Sequence, residues 1–238
     1  MRLHTMSLLA AAALAVALPV DAQQNGRVVG GAGAVFLVGL PTGELAEQID
    51  VGAGIGFNGH YFLVPSGAFR LRVQGGFIQY GSETHEACFS NTVGCRVRVD
   101  VNTANSIAFG SIGPELAFTS GYIRPYINAG IGASYFETAS SIDGTDDSQS
   151  LGTTRHLQDT GLSITGGGGL YVPLSIRSVP LSLDLSARYH RNGTMQYLRK
   201  GDIQDNPDGS ISFTPNRTEA DFVTVQLGVS VGISRRGQ

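Results

Sequence analysis

The sequence predicts an all-β fold, an eight-stranded, antiparallel, up-and-down transmembrane β-barrel, on three observations. The first is the final segment, 221–234, in which every second residue from Val223 to Ile233 is Val, Leu or Ile, and the residues between are Thr, Gln, Ser or Gly. Because side chains alternate between the faces of a strand, one face is apolar and the other is polar or very small. The second is that eight segments are patterned in this way, each about ten or more residues long, as a tilted membrane crossing requires. The third is that long connections alternate with tight turns, which is typical of a membrane barrel with two different rims.

The first three strands are predicted at about 31–40, 51–64 and 68–80. In the second, apolar side chains alternate with glycines, and in the third they alternate with arginine and glutamine. A longer loop, 41–50, joins the first two strands. The Pro-Ser-Gly sequence at 65–67 indicates a tight turn between the second and the third.

Strands four and five are predicted at about 106–118 and 122–137, joined by a Thr-Ser-Gly turn at 119–121. The long polar segment 81–104 precedes them as a loop. The alternation is irregular in the first half of strand four, which predicts a β-bulge there. Strand five alternates regularly between apolar residues and Arg, Asn, Gly or Ser.

The last three strands are predicted at about 161–174, 181–190 and 221–234. Strand seven has the sharpest alternation, with Leu, Ala and Tyr on one face and Ser, Asp, Arg and His on the other. The segments 138–160 and 191–220 are predicted to be loops. All four longer connections are expected to face outside the cell, with both termini in the periplasm.

The second face of each strand predicts that the apolar faces point outward into lipid. A soluble sheet would carry many Lys and Glu residues on that face, whereas here it is dominated by Gly, Ser, Thr and Asn with isolated charges. Small residues fit the narrow interior of an eight-stranded barrel. The isolated charges are expected to pair across the lumen; the alternative is that they are scattered and solvated. The predicted network contains Arg70, Arg72, Glu115, Arg124, Asp184 and Arg188.

The N-terminus predicts export. Residues 1–22 read as a secretory signal peptide, with a short polar head, a Leu/Ala/Val-rich stretch and small residues at the cleavage site; an N-terminal anchor helix is the alternative. Residues 23–238 then form one barrel domain. No later stretch reaches the ~18 apolar residues of a spanning helix, so membrane entry would require a closed barrel. The net charge of −3 gives no bulk electrostatic case for nucleic-acid binding.

The two cysteines, Cys88 and Cys95, predict one short disulfide loop in an exported chain. A metal site there would need further ligands, and His85 is the only nearby candidate. The acidic loop segments, such as 202–209, lack the spacing of an EF-hand calcium loop. No metal site and no cofactor are predicted.

The chain resembles the small bacterial outer-membrane β-barrel superfamily over about residues 23–238. The sequence G-A-V-F-L-V-G-L-P-T-G-E-L followed by V-G-A-G-I-G-F-N-G looks like its opening hairpin. The end of the chain is similar to the insertion signal read by the barrel-assembly machinery, carried here by Gln226, Gly228, Val231 and Ile233. Family members usually end on an aromatic residue, whereas a five-residue tail follows Ile233 here. The resemblance implies a bacterial outer-membrane location and contact with outer-membrane lipid.

The most favoured function is non-enzymatic: a structural or surface-interaction role through extracellular loops, with an unidentified extracellular ligand and a charge-plugged lumen. Two alternatives stay open: a porin-like narrow channel for small or hydrophobic solutes, and a secreted soluble barrel that binds a small apolar ligand, as lipocalins do. A fourth is a lipid A-modifying enzyme, because His190 begins a sequence similar to the His-x-Ser of lipid A deacylases. Asn192 stands where the nucleophilic Ser would be, so no catalytic residue is predicted.

Overall fold

The computed structural model describes residues 27–88, 98–144, 150–176, 179–199, 202–205 and 211–235. It contains a closed barrel of eight antiparallel strands, which confirms the predicted fold class. The predicted signal peptide, 1–22, lies outside the described residues and remains a prediction. No helix in the described ranges is long and apolar enough to cross a membrane.

The barrel strands follow one another around the wall in chain order, and the last strand closes the barrel against the first. The order is β1-β2-β3-β4-β5-β6-β7-β12. The barrel strands are β1 Arg27–Pro41, β2 Gly52–Phe62, β3 Phe69–Cys88, β4 Arg98–Ala117, β5 Arg124–Gly144, β6 Ser150–Ile176, β7 Val179–Arg191 and β12 Phe222–Arg235. Four short strands lie between β7 and β12: β8 Thr194–Tyr197, β9 Ile203–Asp205, β10 Ile211–Phe213 and β11 Asn216–Glu219.

The apolar faces point outward, as the alternation predicts. Ile112, Ile127, Leu185 and Leu227 are from 46% to 65% exposed, and similar residues follow on every barrel strand. The intervening polar residues point inward and are largely buried. An apolar belt of this extent is far larger than the patches that soluble monomers expose, so its medium is lipid.

Two of the predicted loops are mostly strand, which corrects the sequence analysis. β3 and β4 remain paired as far as Cys88 and Arg98, and β5 and β6 as far as Asp143 and Ser150. The predicted loops at 81–104 and 138–160 are therefore long hairpins that continue the barrel wall. Their Thr, Ser and Asn residues have polar side chains that pair across strands. The predicted loop boundaries followed polarity, which does not separate a solvated strand from a loop.

The predicted irregularity is present, but on the neighbouring strand. The β3–β4 register shifts between Gln79 and Gly81, which face Ser106 and Asn105. Tyr80 is thus the extra residue of a bulge in β3, and the predicted bulge in strand four is wrong. The alternation of β4 is irregular because two large apolar side chains, Ile107 and Phe109, point into the lumen.

The two rims differ in construction. Gly67 and Gly121 have positive φ angles of 71° and 95° and allow the tight turns of one rim, which we call the turn end. The opposite rim, the loop end, contains the two long hairpins. A short 3-10 helix, Gly43–Glu47, follows β1 there. β8 pairs with β11 in the last long connection, and β11 contacts the 3-10 helix.

Candidate functional site

A cluster of buried charges lies in the lumen towards the turn end. Arg72 forms ion pairs with Glu115 at 2.8 Å and with Asp184 at 3.2 Å. Arg70 reaches the other oxygen of Glu115 at 3.2 Å. These four side chains, which we call the charge cluster, come from three strands that are distant in sequence. The exposed fraction is zero for both carboxylates, so each would be costly to bury without the arginine that pairs with it.

Polar aromatic and amide side chains complete the cluster. Tyr126 donates a hydrogen bond to Asp184 at 2.7 Å, and Asn58 donates to the second oxygen of this carboxylate at 3.0 Å. The Nη1 atom of Arg72 donates to the hydroxyl of Tyr171 at 2.6 Å. The rings of Tyr126 and Tyr171 stack with centroids 4.5 Å apart. Each carboxylate therefore has several partners, which offsets much of the cost of removing it from water.

The two remaining arginines of the predicted network lie elsewhere. Arg188 is buried in the middle of the lumen, where its Nε donates to Asn128 at 3.0 Å. Arg124 lies near the turn end, where its Nε donates to the carbonyl of Gly121 at 3.2 Å. Among the described residues, neither arginine has a carboxylate oxygen within 4.0 Å. The structure thus brings four of the six predicted residues together by direct ion pairs.

A second layer, which the sequence analysis did not predict, lies in the lumen towards the loop end. It is a cluster of buried apolar side chains, which we call the apolar plug. Strand residues supply most of it, and the 3-10 helix and the last long connection supply the rest. The plug contains Val35, Leu37, Leu45, Ile78, Tyr80, Ile107, Phe109, Phe136, Met195, Tyr197, Ala220 and Phe222.

Hydrogen bonds hold the last long connection over the plug. Asp221 accepts hydrogen bonds from the hydroxyl of Tyr189 and, at 2.9 Å, from the backbone N–H of Asn192. The Asn192 amide donates to the carbonyl of Ala220 at 2.6 Å. The Tyr197 hydroxyl lies 2.7 Å from that of Thr218, and burial raises the pKa of this phenol above its ordinary value. The covering segment is therefore built into the fold.

A signal for the plug exists in the sequence. Large apolar residues occupy some of the inward-facing positions of the strands: Leu37, Ile78, Phe109 and Phe136. Each lies on the loop-end side of the charge cluster in the lumen. We predicted a lumen filled by small and charged residues throughout, and this is wrong for the loop-end half. Large side chains at inward positions of several strands, all near one rim, are the pattern that predicts such a plug.

His190 lies inside the barrel, away from solvent. Its ring stacks on Phe222 with centroids 4.5 Å apart and meets the edge of Phe109 at 4.7 Å. Its Nε2 lies 3.2 Å from the hydroxyl of Thr224. Among the described residues, no group of three His, Cys, Asp or Glu side chains could hold a metal ion.

The predicted assembly-signal residues all lie on β12, where they alternate as expected. Gln226 and Gly228 are buried on the inward face, whereas Ile233 is exposed on the outward face. Val231 pairs with Ala32 of β1 at the closing seam. Cys88 is the last residue of β3 and Cys95 lies outside the described residues, so their disulfide remains a prediction.

Comparisons with known proteins give structural matches only. No family model and no curated protein matches the chain. Neisserial surface protein A is 13% identical, with a TM-score of 0.45 and coverage of 86% of this chain and 97% of that one. A major outer membrane protein from Thermus thermophilus is 13% identical, with a TM-score of 0.46 and coverage of 86% and 99%. OprG from Pseudomonas aeruginosa is 9% identical, with a TM-score of 0.47 and coverage of 90% and 100%.

The molecule's own architecture decides its class. It has an even number of antiparallel strands in a closed barrel, an apolar outer belt, and buried polar side chains on the inward face. It also has tight turns at one rim and long hairpins at the other. A soluble barrel of the lipocalin type would instead hold its apolar residues inside. These features together are those of transmembrane β-barrels, and the chain forms a closed, antiparallel, eight-stranded β-barrel whose outer surface suits lipid.

Proposed function

We propose that this protein is a non-conducting, non-enzymatic outer-membrane barrel with a structural or surface-interaction role. The observation that supports this best is the filling of the lumen at two levels. An ion crossing the barrel would meet the charge cluster and then the apolar plug. A channel for solutes would need an open path through both the charge cluster and the apolar plug.

The charge cluster would resist passage because one of its ion pairs, Arg72–Asp184, joins opposite walls. Arg72 of β3 links Glu115 of β4 to Asp184 of β7, so it lies across the lumen. A cavity of about 250 Å³, lined by Arg70 and Arg124 among others, opens at the turn end. We infer that water enters the barrel as far as Arg70 and stops at the cluster.

The apolar plug would resist passage by a different mechanism. Leu37, Phe136 and Phe222 are at most 2% exposed, which leaves little space between them. Carrying a charge through such a layer would remove its hydration without supplying partners, at a cost of several kcal/mol or more. The two layers therefore act in series.

The long hairpins support a role at the loop end, which we place outside the cell by analogy with the long loops of outer-membrane barrels. β3 continues from Tyr80 to Cys88 beyond its last partner on β2, roughly 30 Å of strand at about 3.4 Å per residue. β6 likewise extends beyond its last pair with β7 at Ile164. The projecting sheet is a rigid surface that an extracellular ligand could contact. The closing strand carries the residues that the barrel-assembly machinery would bind during insertion.

Conductance across planar bilayers tests the proposal. The wild-type protein should give no stable single-channel steps. A matched variant in which both layers are weakened, Arg72→Ala with Phe109→Ala and Phe136→Ala, should give them, because each substitution shortens a side chain that fills the lumen. Reproducible steps from the wild type would contradict the plugged lumen and favour the narrow channel.

A second experiment tests the surface role of the hairpins. Replacing residues 83–103 and 140–157 by short turns should leave the barrel heat-modifiable in detergent gels, because both segments extend beyond the closed wall. Loss of the folded gel form would mean that the hairpins serve barrel stability.

A further inference from the structure

A layer of polar side chains lies between the charge cluster and the apolar plug. Arg188 is its largest member and is 1% exposed. Asn128 and Gly167 lie beside Arg188 on the neighbouring strands of the barrel wall. The proposed function assigns no role to this layer.

Among the described residues, no carboxylate oxygen lies within 4.0 Å of the Arg188 guanidinium. Its Nε atom donates to Asn128, but Nη1 and Nη2 are buried and have no hydrogen-bond partner in the part of the chain that the structure describes. The charge cluster is already balanced, since two arginines pair with two carboxylates there. Among the described residues, the deep interior therefore holds one surplus positive charge. A buried charge without a counter-charge is strongly unfavourable.

Several of the unpartnered polar atoms in the lumen are donors. Asn128 accepts from Arg188 through its oxygen, so its unpartnered Nδ2 is a donor. Gln74 accepts from Arg72 through its oxygen, which leaves its Nε2 as a second unpartnered donor. The hydroxyls of Ser134, Ser163 and Ser186 also have no partner among the described residues and can donate. A cation does not fit such surroundings, whereas an acceptor with a negative charge does.

We propose that Arg188 and Asn128 hold a small inorganic anion, such as chloride, inside the barrel. The two side chains are hydrogen-bonded to each other, so their three unpartnered nitrogen atoms, Nη1 and Nη2 of Arg188 and Nδ2 of Asn128, lie near one another. Water could accept these hydrogen bonds, but it would leave the charge unbalanced in a medium of low dielectric constant. An anion would both accept these hydrogen bonds and balance the charge of Arg188. Its role is to stabilise the folded barrel.

The test compares unfolding of the full-length protein in chloride and in gluconate at equal ionic strength. Urea unfolding in lipid vesicles is followed by far-UV circular dichroism. At chloride concentrations above the dissociation constant of the site, each tenfold rise in chloride concentration should raise the folded-to-unfolded ratio of the wild type about tenfold. Asn128→Asp places a carboxylate beside Arg188 and should abolish this response while the barrel still folds. Arg124→Gln removes a positive charge near the turn end and should keep the response.

Crystals grown in bromide provide an independent test. An anomalous peak within hydrogen-bond distance of the Arg188 guanidinium is the expected result. If no peak appears there, or if wild type and Asn128→Asp respond equally to chloride, the layer holds only water and the proposal is wrong. This outcome would not affect the proposed function, because the conductance measurement does not depend on the anion.

Discussion

Removal of the Glu115 carboxylate is the perturbation that should affect the lumen most directly. Glu115 is fully buried and pairs with Arg70 at 3.2 Å and with Arg72 at 2.8 Å. Glu115→Gln keeps the size of the side chain but leaves two guanidinium groups with one fewer counter-charge. The substitution therefore measures what the charge contributes to stability, because the volume of the side chain stays nearly the same.

The expected magnitude follows from the burial of the pair. Breaking a buried ion pair by removing one partner typically costs about 3–5 kcal/mol, whereas an exposed pair contributes about 0.2–1 kcal/mol. Because the Glu115 side chain has no exposed surface, the larger range applies. Adding Arg70→Gln should recover part of the loss, since it removes one of the unbalanced charges, with a coupling of about 0.5–3 kcal/mol.

The assay is equilibrium urea unfolding in lipid vesicles. The chain contains no Trp, so far-UV circular dichroism reports unfolding. Glu219→Gln, on an exposed residue of β11, is the matched control and should change the free energy of unfolding by less than about 0.5 kcal/mol. A loss below about 1 kcal/mol for Glu115→Gln would mean that water screens the cluster. That result would refute the closed lumen.

Three further predictions concern the belt, the plug and the loops. Val229→Arg should lower the free energy of unfolding by about 2–4 kcal/mol if the residue lies near the bilayer midplane, and no change would contradict its outward direction. Phe109→Ala should cost about 3–5 kcal/mol in the same assay because it leaves a cavity in the apolar plug; a loss below about 1 kcal/mol would show that the plug is loosely packed. Reduction of Cys88 and Cys95 should leave the circular dichroism spectrum of the barrel unchanged, and loss of the β signal would contradict this expectation.

The sequence predicts the outside of the barrel better than its inside. The outward residues of β12, from Val223 to Ile233, are apolar without exception, because each must face the same hydrocarbon. Inward positions obey no single rule, since charges, glycines and aromatics can all fill the lumen if their shapes fit. Phe109 and Phe136 therefore appear as breaks in the alternation, although they are members of a second cluster.

Long-range pairing is the other feature that the sequence does not contain. Arg72 and Asp184 are 112 residues apart, and their contact depends on the register of every strand between them. The sequence indicates that both face the lumen, but a shift of one strand by two residues would separate them. The sequence did not predict the lengths of the hairpins either, because polar residues are typical of loops. Thr103 and Ser140 are an example: they lie on neighbouring strands and form a 2.6 Å hydrogen bond.

Quenching of single tryptophans by brominated lipid tests most directly whether apolar side chains contact lipid while the lumen is filled. Because the chain lacks Trp, each introduced Trp is the only reporter. Ile127 is 65% exposed and its neighbour Tyr126 is 3% exposed, so they compare the two faces at nearly the same depth. Ile127→Trp should be strongly quenched in vesicles of brominated lipid, and Tyr126→Trp should not. Equal quenching of the two, or quenching of Tyr126→Trp alone, would contradict the account.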